Sequence, residues 1–187
     1  NQTAKISFTA GNSNIIKVSS DGIYIEAGST ADSEYIAENG NNEIESGNNG
    51  IDHRGSGDVI LKAEKGQNII TSDGGDGIRV EGSGDVVLIA KENTITAGDN
   101  GIQSETQGTI SIISTNGDNN INAATTAIEV SYGNVIVNSN NDVNLNTENF
   151  NGKVVGAGIH LDYGNNNGYG TNEKALYVDI NAGGNFN

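Results

Sequence analysis

Apolar positions along the chain come in short runs separated by Gly, Asn and Asp, and the runs recur. Between residues 68 and 90 three follow one another: Asn68-Ile69-Ile70, then Asp76-Gly77-Ile78-Arg79-Val80, then Gly84-Asp85-Val86-Val87-Leu88-Ile89-Ala90. A small residue followed by Ile marks the middle run at Gly22-Ile23, Gly50-Ile51, Gly77-Ile78, Gly101-Ile102, Ala127-Ile128 and Gly158-Ile159. Successive markers lie 28, 27, 24, 26 and 31 residues apart. Another aliphatic residue precedes each of the first five markers, at Ile16, Ile44, Ile70, Ile95 and Ile121. A third run opens after the marker at Val59, Val86, Ile110 and Val135. A fixed period of this size signals a solenoid, and three strand-like runs per period predict a three-sided coil.

Within the runs the alternation has period two, which places successive side chains on opposite faces of a strand. The predicted inward sets are Ile23 and Ile25, Ile78 and Val80, Ile128 and Val130, and Ile159 and Leu161 in the second run. In the third run they are Val59, Leu61 and Ala63, with their equivalents in later coils. The expected fold is therefore all-β, a right-handed parallel β-helix with three-strand coils of roughly 26 residues. Six or seven coils stacked about 4.8 Å apart would make a rod on the order of 30 Å long. The helix-friendly triplets at 63–65 and 90–92 are too short for helices and read as strand ends or turns. A single domain spans 1–187, with regular coils over 14–142. Residues 28–41 read as a polar insert, with Tyr35-Ile36 the remnant of a strand. Residues 143–187 read as an irregular or covering segment able to supply an extra β-hairpin or loop layer. Within it, 162–174 form a Gly/Asn/Tyr loop and 175–180 a strand.

Composition supports a thin, long core. Only 34 % of residues are hydrophobic, while Gly (27) and Asn (30) abound; both tolerate left-handed turn conformations. The chain has no Cys, Pro, Met or Trp, so no disulfide framework exists. A net charge of −15 repels phosphates and anionic lipid, which argues against nucleic acid or a membrane surface as main partner. No apolar run is long enough to insert into a bilayer. No signal peptide is recognisable, and the abrupt start at Asn1 suits a fragment.

One feature departs from a bare solenoid. Outward positions of the third run carry Ile60, Val87 and Ile136, with Ile89 and Ile113 beside them. Such a strip calls for a cover; the 150–187 tail, with Phe150, Tyr163, Tyr169 and Tyr177, is the expected one. A partner, or a one-residue register slip that swaps the faces, are the other readings.

Candidate chemistry sits on the outward side of the second run: Tyr24, Asp52, Arg79, Gln103, Glu129 and His160. Asp52 beside Arg79, with Glu129 on the same face, could perform acid–base work on a polysaccharide. The plainer reading is a surface ion pair. Asp73-Gly74-Gly75-Asp76-Gly77 faintly echoes a calcium-binding β-roll, but that motif needs tandem repetition. Turn chemistry is expected there, with structural calcium the lesser alternative; no cofactor and no metal are expected otherwise. His53 should face inward and His160 outward, several rungs apart, so they share no ion. Ice binding would require flat Thr-x-Thr ranks, and the outward threonines are too irregular.

The Asn-x-Ile, Asn-Gly-Ile and Gly-Asp-Val coils resemble the passenger domains of bacterial autotransporter adhesins. Gly47-Asn48-Asn49-Gly50-Ile51 and Gly55-Ser56-Gly57-Asp58-Val59 carry the likeness. Filamentous haemagglutinin-like exoproteins share these motifs. The resemblance implies a rod at the bacterial cell surface, or secreted. It would bind a host extracellular-matrix protein such as fibronectin, a glycan, or another bacterial surface. No enzymatic activity is expected; a polysaccharide lyase or hydrolase and a self-associating stalk are the alternatives. Tyr24, Tyr35, Tyr163, Tyr169 and Tyr177, with Asp52, Arg79 and Glu129, are the candidate ligand contacts, because Tyr offers apolar area and a hydroxyl at low entropic cost.

Overall fold

A computed structural model describes residues 5–147, 149–150, 153–154, 158–161 and 177–187. In chain order the strands are β1 (Lys5–Ala10), β2 (Asn14–Val18), β3 (Ile23–Ile25), β4 (Asp32–Ala37), β5 (Asn42–Ser46), β6 (Ile51–His53), β7 (Val59–Ser72), β8 (Ile78–Val80) and β9 (Val86–Ala97). They continue with β10 (Ile102–Ser114), β11 (Asn119–Ala123), β12 (Ile128–Ser139), β13 (Val143–Thr147), β14 (Asn149–Phe150), β15 (Lys153–Val154), β16 (Ile159–Leu161) and β17 (Tyr177–Ala182).

All pairings except β14 with β15 are parallel, and they sort into three columns. The first column stacks β2, β5, the end of β7, the end of β9, β11 and β13. The second stacks β3, β6, β8, the starts of β10 and β12, and β16. The third stacks β1, β4, the starts of β7 and β9, the ends of β10 and β12, and β17. This is a parallel β-helix, a β-solenoid of about five turns. Ile23, Ile51, Ile78, Ile102, Ile128 and Ile159 pair successively, so five complete turns separate the first from the last.

Alternation builds the core as expected. Ile44, Ile70, Ile95 and Ile121 face Ile51, Ile78, Ile102 and Ile128 across a narrow interior closed by Val59, Leu61, Val86, Leu88, Ile110, Ile112, Val135 and Val137. Each of these side chains is at most 2 % exposed, and full burial of such a side chain stabilises by about 1.5–3 kcal/mol. Ala63 and Ala90 lie in continuous strand, because β7 and β9 each turn a corner without ending.

The small residue before each Ile has a packing cause. A Cβ on Gly50, Gly77 or Gly101 would overlap Cγ2 of Ile70, Ile95 or Ile121, and would lie 2.5 to 2.6 Å from a carbonyl oxygen of the next rung. The position holds a Cβ once, at Ala127. The matching first-column residue there is Leu145 in place of Ile, and Leu has no methyl branch at Cβ. Glycine is therefore used for close approach. Among the described glycines only Gly28 and Gly133 have positive φ.

Residues 32–37 are not an insert. β4 is a full rung of the third column, with Ser33, Tyr35 and Ala37 in register with the inward side of the rungs next to it. The alternation was obscured because Ser33 and Tyr35 stand where later rungs carry Val and Leu. Tyr35 is consequently an inward side chain packed on the core and stacked on Phe8, with centroids 5.1 Å apart; it is withdrawn as a ligand contact. β1 shows that coils begin before residue 14. At the other end β17 adds a rung, with Val178 and Ile180 paired to Val135 and Val137. Its described residues extend the third column and do not cover the Ile60, Val87 and Ile136 strip. Those three are half-buried, along with Ile89 and Ile113, and Ser111 interrupts the strip between Val87 and Ile136. An antiparallel hairpin does occur in the tail, as β14 and β15.

Candidate functional site

The expected outward column of the second face is present residue by residue. Tyr24 pairs with Asp52, Asp52 with Arg79, Arg79 with Gln103, Gln103 with Glu129, and Glu129 with His160. Parallel pairing in strict register sets these side chains one above another at the strand spacing of about 4.8 Å.

The ion pairs differ from expectation. Asp52 is only 1 % exposed and takes three hydrogen bonds from Arg54, at 2.8, 3.0 and 3.1 Å. Arg54 also reaches Glu81 at 3.3 Å and lies over the Tyr24 ring, 5.7 Å from its centroid. Arg79 pairs with Glu81 and, at 3.6 Å, with Glu105. Glu129 faces His160 at 3.7 Å. Asp52 is thus held by the residue two positions on, not by the next rung. A buried carboxylate with a bidentate guanidinium partner has no free lone pair aimed at solvent for acid–base chemistry, so the pairing of Asp52 with Arg79 is corrected. Arg54, Glu81 and Glu105 were missed. Two-residue spacing puts Arg54 on the side of Asp52, but it follows the end of β6, where alternation stops being a reliable guide.

Tyr24 is 51 % exposed. The His160 side chain is 52 % exposed, Glu129 22 % and Arg79 30 %. Both arginines of the chain belong to this patch. Tyr163 and Tyr169 lie outside the described residues. Tyr177 opens β17 opposite Asn134, and its side chain is outside the description.

Many other acids are committed to the scaffold. Asp32 accepts the backbone N–H of Asp58, Asp58 that of Asp85, and Asp85 that of Thr109, at 2.8 to 2.9 Å. A second corner column runs Asp21, Asn49, Asp76 and Asn100 in the same manner. Burial pushes the Asp76 carboxyl up to about 6, against the N–H of Asn100, which favours its charge. The turn at 73–77 therefore spends Asp76 on the ladder. Among the described residues no group of three or more His, Cys, Asp or Glu could hold a metal ion. His53 is fully buried, as expected, and Nε2 donates to the Gly57 carbonyl.

Comparison with known proteins returns nothing: no family model, no curated protein and no solved structure matches the chain.

Proposed function

We propose that this segment is a non-enzymatic adhesive module displayed on a bacterial surface or secreted. It would attach to a protein of the host extracellular matrix, such as fibronectin, through the outward column of the second face. The observation behind this reading is that column's chemistry. Its inward neighbours are mostly aliphatic, whereas five of its six outward positions present an aromatic ring, a guanidinium, an amide, a carboxylate and an imidazole, the sixth being the buried Asp52. A mixed, partly exposed row suits many modest contacts. Tyr24, braced by Arg54, is the natural aromatic anchor. The resemblance to autotransporter passenger domains supports the same reading. The enzymatic alternative loses Asp52 as an accessible carboxylate, because it is buried in its pair with Arg54.

The test is retention of the fragment on immobilised fibronectin and a panel of other matrix proteins. Tyr24→Ala with His160→Ala removes the exposed groups at the two ends of the column without orphaning a buried charge. Retention of the native fragment, lost in the double variant, is the expected result. No retention on any matrix protein, or equal retention by the variant, would overturn the proposal.

A further inference from the structure

The first face carries a second ordered surface of different chemistry. Its outward positions pair as Thr94 with Asn120 and Asn144, and as Thr96 with Asn122 and Asn146. The carboxamides are tied along the columns: Asn144 Nδ2 donates to Asn120 Oδ1 at 2.8 Å, and Asn146 Nδ2 to Asn122 Oδ1 at 2.9 Å. Rungs lie about 4.8 Å apart and outward neighbours on one strand about 6.7 Å apart. The result is a flat two-column grid whose groups are already oriented. Each Asn has two N–H donors and two oxygen lone pairs. A ladder bond consumes one of each from an interior member, leaving one donor and one acceptor for solvent. A sugar hydroxyl offers that same complement.

Charge selects the ligand further. The six positions are neutral in a chain of net charge −15. The next rung of the same columns holds Ile69 and Thr71, and beyond it stand Glu43 and Glu45. Glu92 sits at the flank of the grid, accepting from Asn120 at 3.3 Å. Acidic glycans would be repelled, and the six positions themselves carry no aromatic or aliphatic side chain to anchor a protein partner, Ile69 on the next rung being half-buried. We propose that Thr94, Thr96, Asn120, Asn122, Asn144 and Asn146 form a binding face for a neutral polysaccharide lying along the solenoid axis. This face is independent of the protein-binding column proposed above.

Affinity electrophoresis through gels containing dextran, mannan or hydroxyethyl cellulose, with alginate as the acidic control, tests it. The native fragment should be retarded by at least one neutral polymer and not by alginate. Asn122→Asp with Asn146→Asp keeps side-chain size but adds charge and replaces N–H donors. It should weaken retardation about tenfold, as expected for losing two modest hydrogen bonds, in a fragment that stays folded, with its melting temperature lowered by the lost ladder bond and the facing charges. Tyr24→Ala with His160→Ala should bind the polymer normally, so failure of one surface is distinguishable from failure of the other. Absence of retardation in every neutral gel, equal retardation of the Asp variant, or retardation by alginate would overturn the inference. So would concentration-dependent sedimentation that disappears in the Asp variant, because the face would then be a self-pairing surface.

Discussion

Among the described residues, asparagine ladders occupy both sides of the first-column strands, one inward and others outward. The inward one joins Asn14, Asn42, Asn68, Asn93 and Asn119, each Nδ2 donating to the next Oδ1 at 2.9 Å. The outward ones join Asn120, Asn144 and Asn187 at 2.8 and 3.0 Å, and Asn122 and Asn146 at 2.9 Å. Asn119 and Asn120 are adjacent in sequence, yet one belongs to each side. In the inward ladder the remaining N–H goes to a backbone carbonyl: Asn42 to Tyr35, Asn68 to Leu61, Asn93 to Ile113. These bonds stitch the first column to the third at a corner. On the outward side Asn120 also donates to Glu92, and the rest of the capacity faces water. One residue type in one bonding pattern thus serves as scaffold on one side and as offered surface on the other.

The comparison breaks most visibly at the centre of the buried ladder. Asn68→Ala removes the acceptor of Asn42 and the donor to Asn93 in a site closed to water. Orphaned buried groups should cost about 3 kcal/mol, read as a lower urea midpoint. The ladder ends naturally at Val143, which pairs with Asn119 and is fully buried. An apolar residue is therefore tolerated at this site at the end of the ladder, and the expected cost at Asn68 comes from the partners left behind.

Gly77→Ala should cost about 2 kcal/mol through overlap with Ile95 Cγ2. Adding Ile95→Leu should recover part of it, as the Ala127 and Leu145 pairing implies; a double variant no more stable than the single would refute that matching rule.

Asp76→Asn should stabilise the fold at pH 7 by up to about 2 kcal/mol, because Asn49 and Asn100 already fill the same column without charge. The native Asp76 carboxyl is raised from 3.8 to about 6, so the folded state holds its proton more tightly than the unfolded chain. Its stabilising contribution is complete below pH 4 and is lost as pH rises towards 6 and beyond. Urea midpoints at pH 4 and 7 should converge in the variant relative to the native chain. The smallest effect belongs to the outward ladder: Asn146→Ala should change stability by less than about 0.5 kcal/mol, and a large loss there would erase the distinction between the ladders.

Much of the fold was legible before any coordinates. The six Ile markers, the inward sets and the outward column from Tyr24 to His160 all follow from period-two alternation laid on a period of about 26. β4 was hidden because Ser33 and Tyr35 replace aliphatics in its inward set. The tail was read as a cover because the outward aliphatic strip called for one and the tail carries Phe150, Tyr163, Tyr169 and Tyr177. Within the candidate site the column was legible, but the grip of Arg54 on Asp52 was not, since it forms beyond the strand end where side-chain direction has no fixed period.

The sequence by itself determined the repeat, the strand faces and the aliphatic pillar, since burial of Ile, Val and Leu at fixed spacing admits few alternatives. Only the tertiary structure decided what the abundant polar residues do. An Asn or Asp looks the same in sequence whether its amide or carboxylate closes a corner or faces solvent. Stacking decides, by bringing a backbone N–H, a carbonyl or a like side chain from some 25 residues away to within hydrogen-bonding distance.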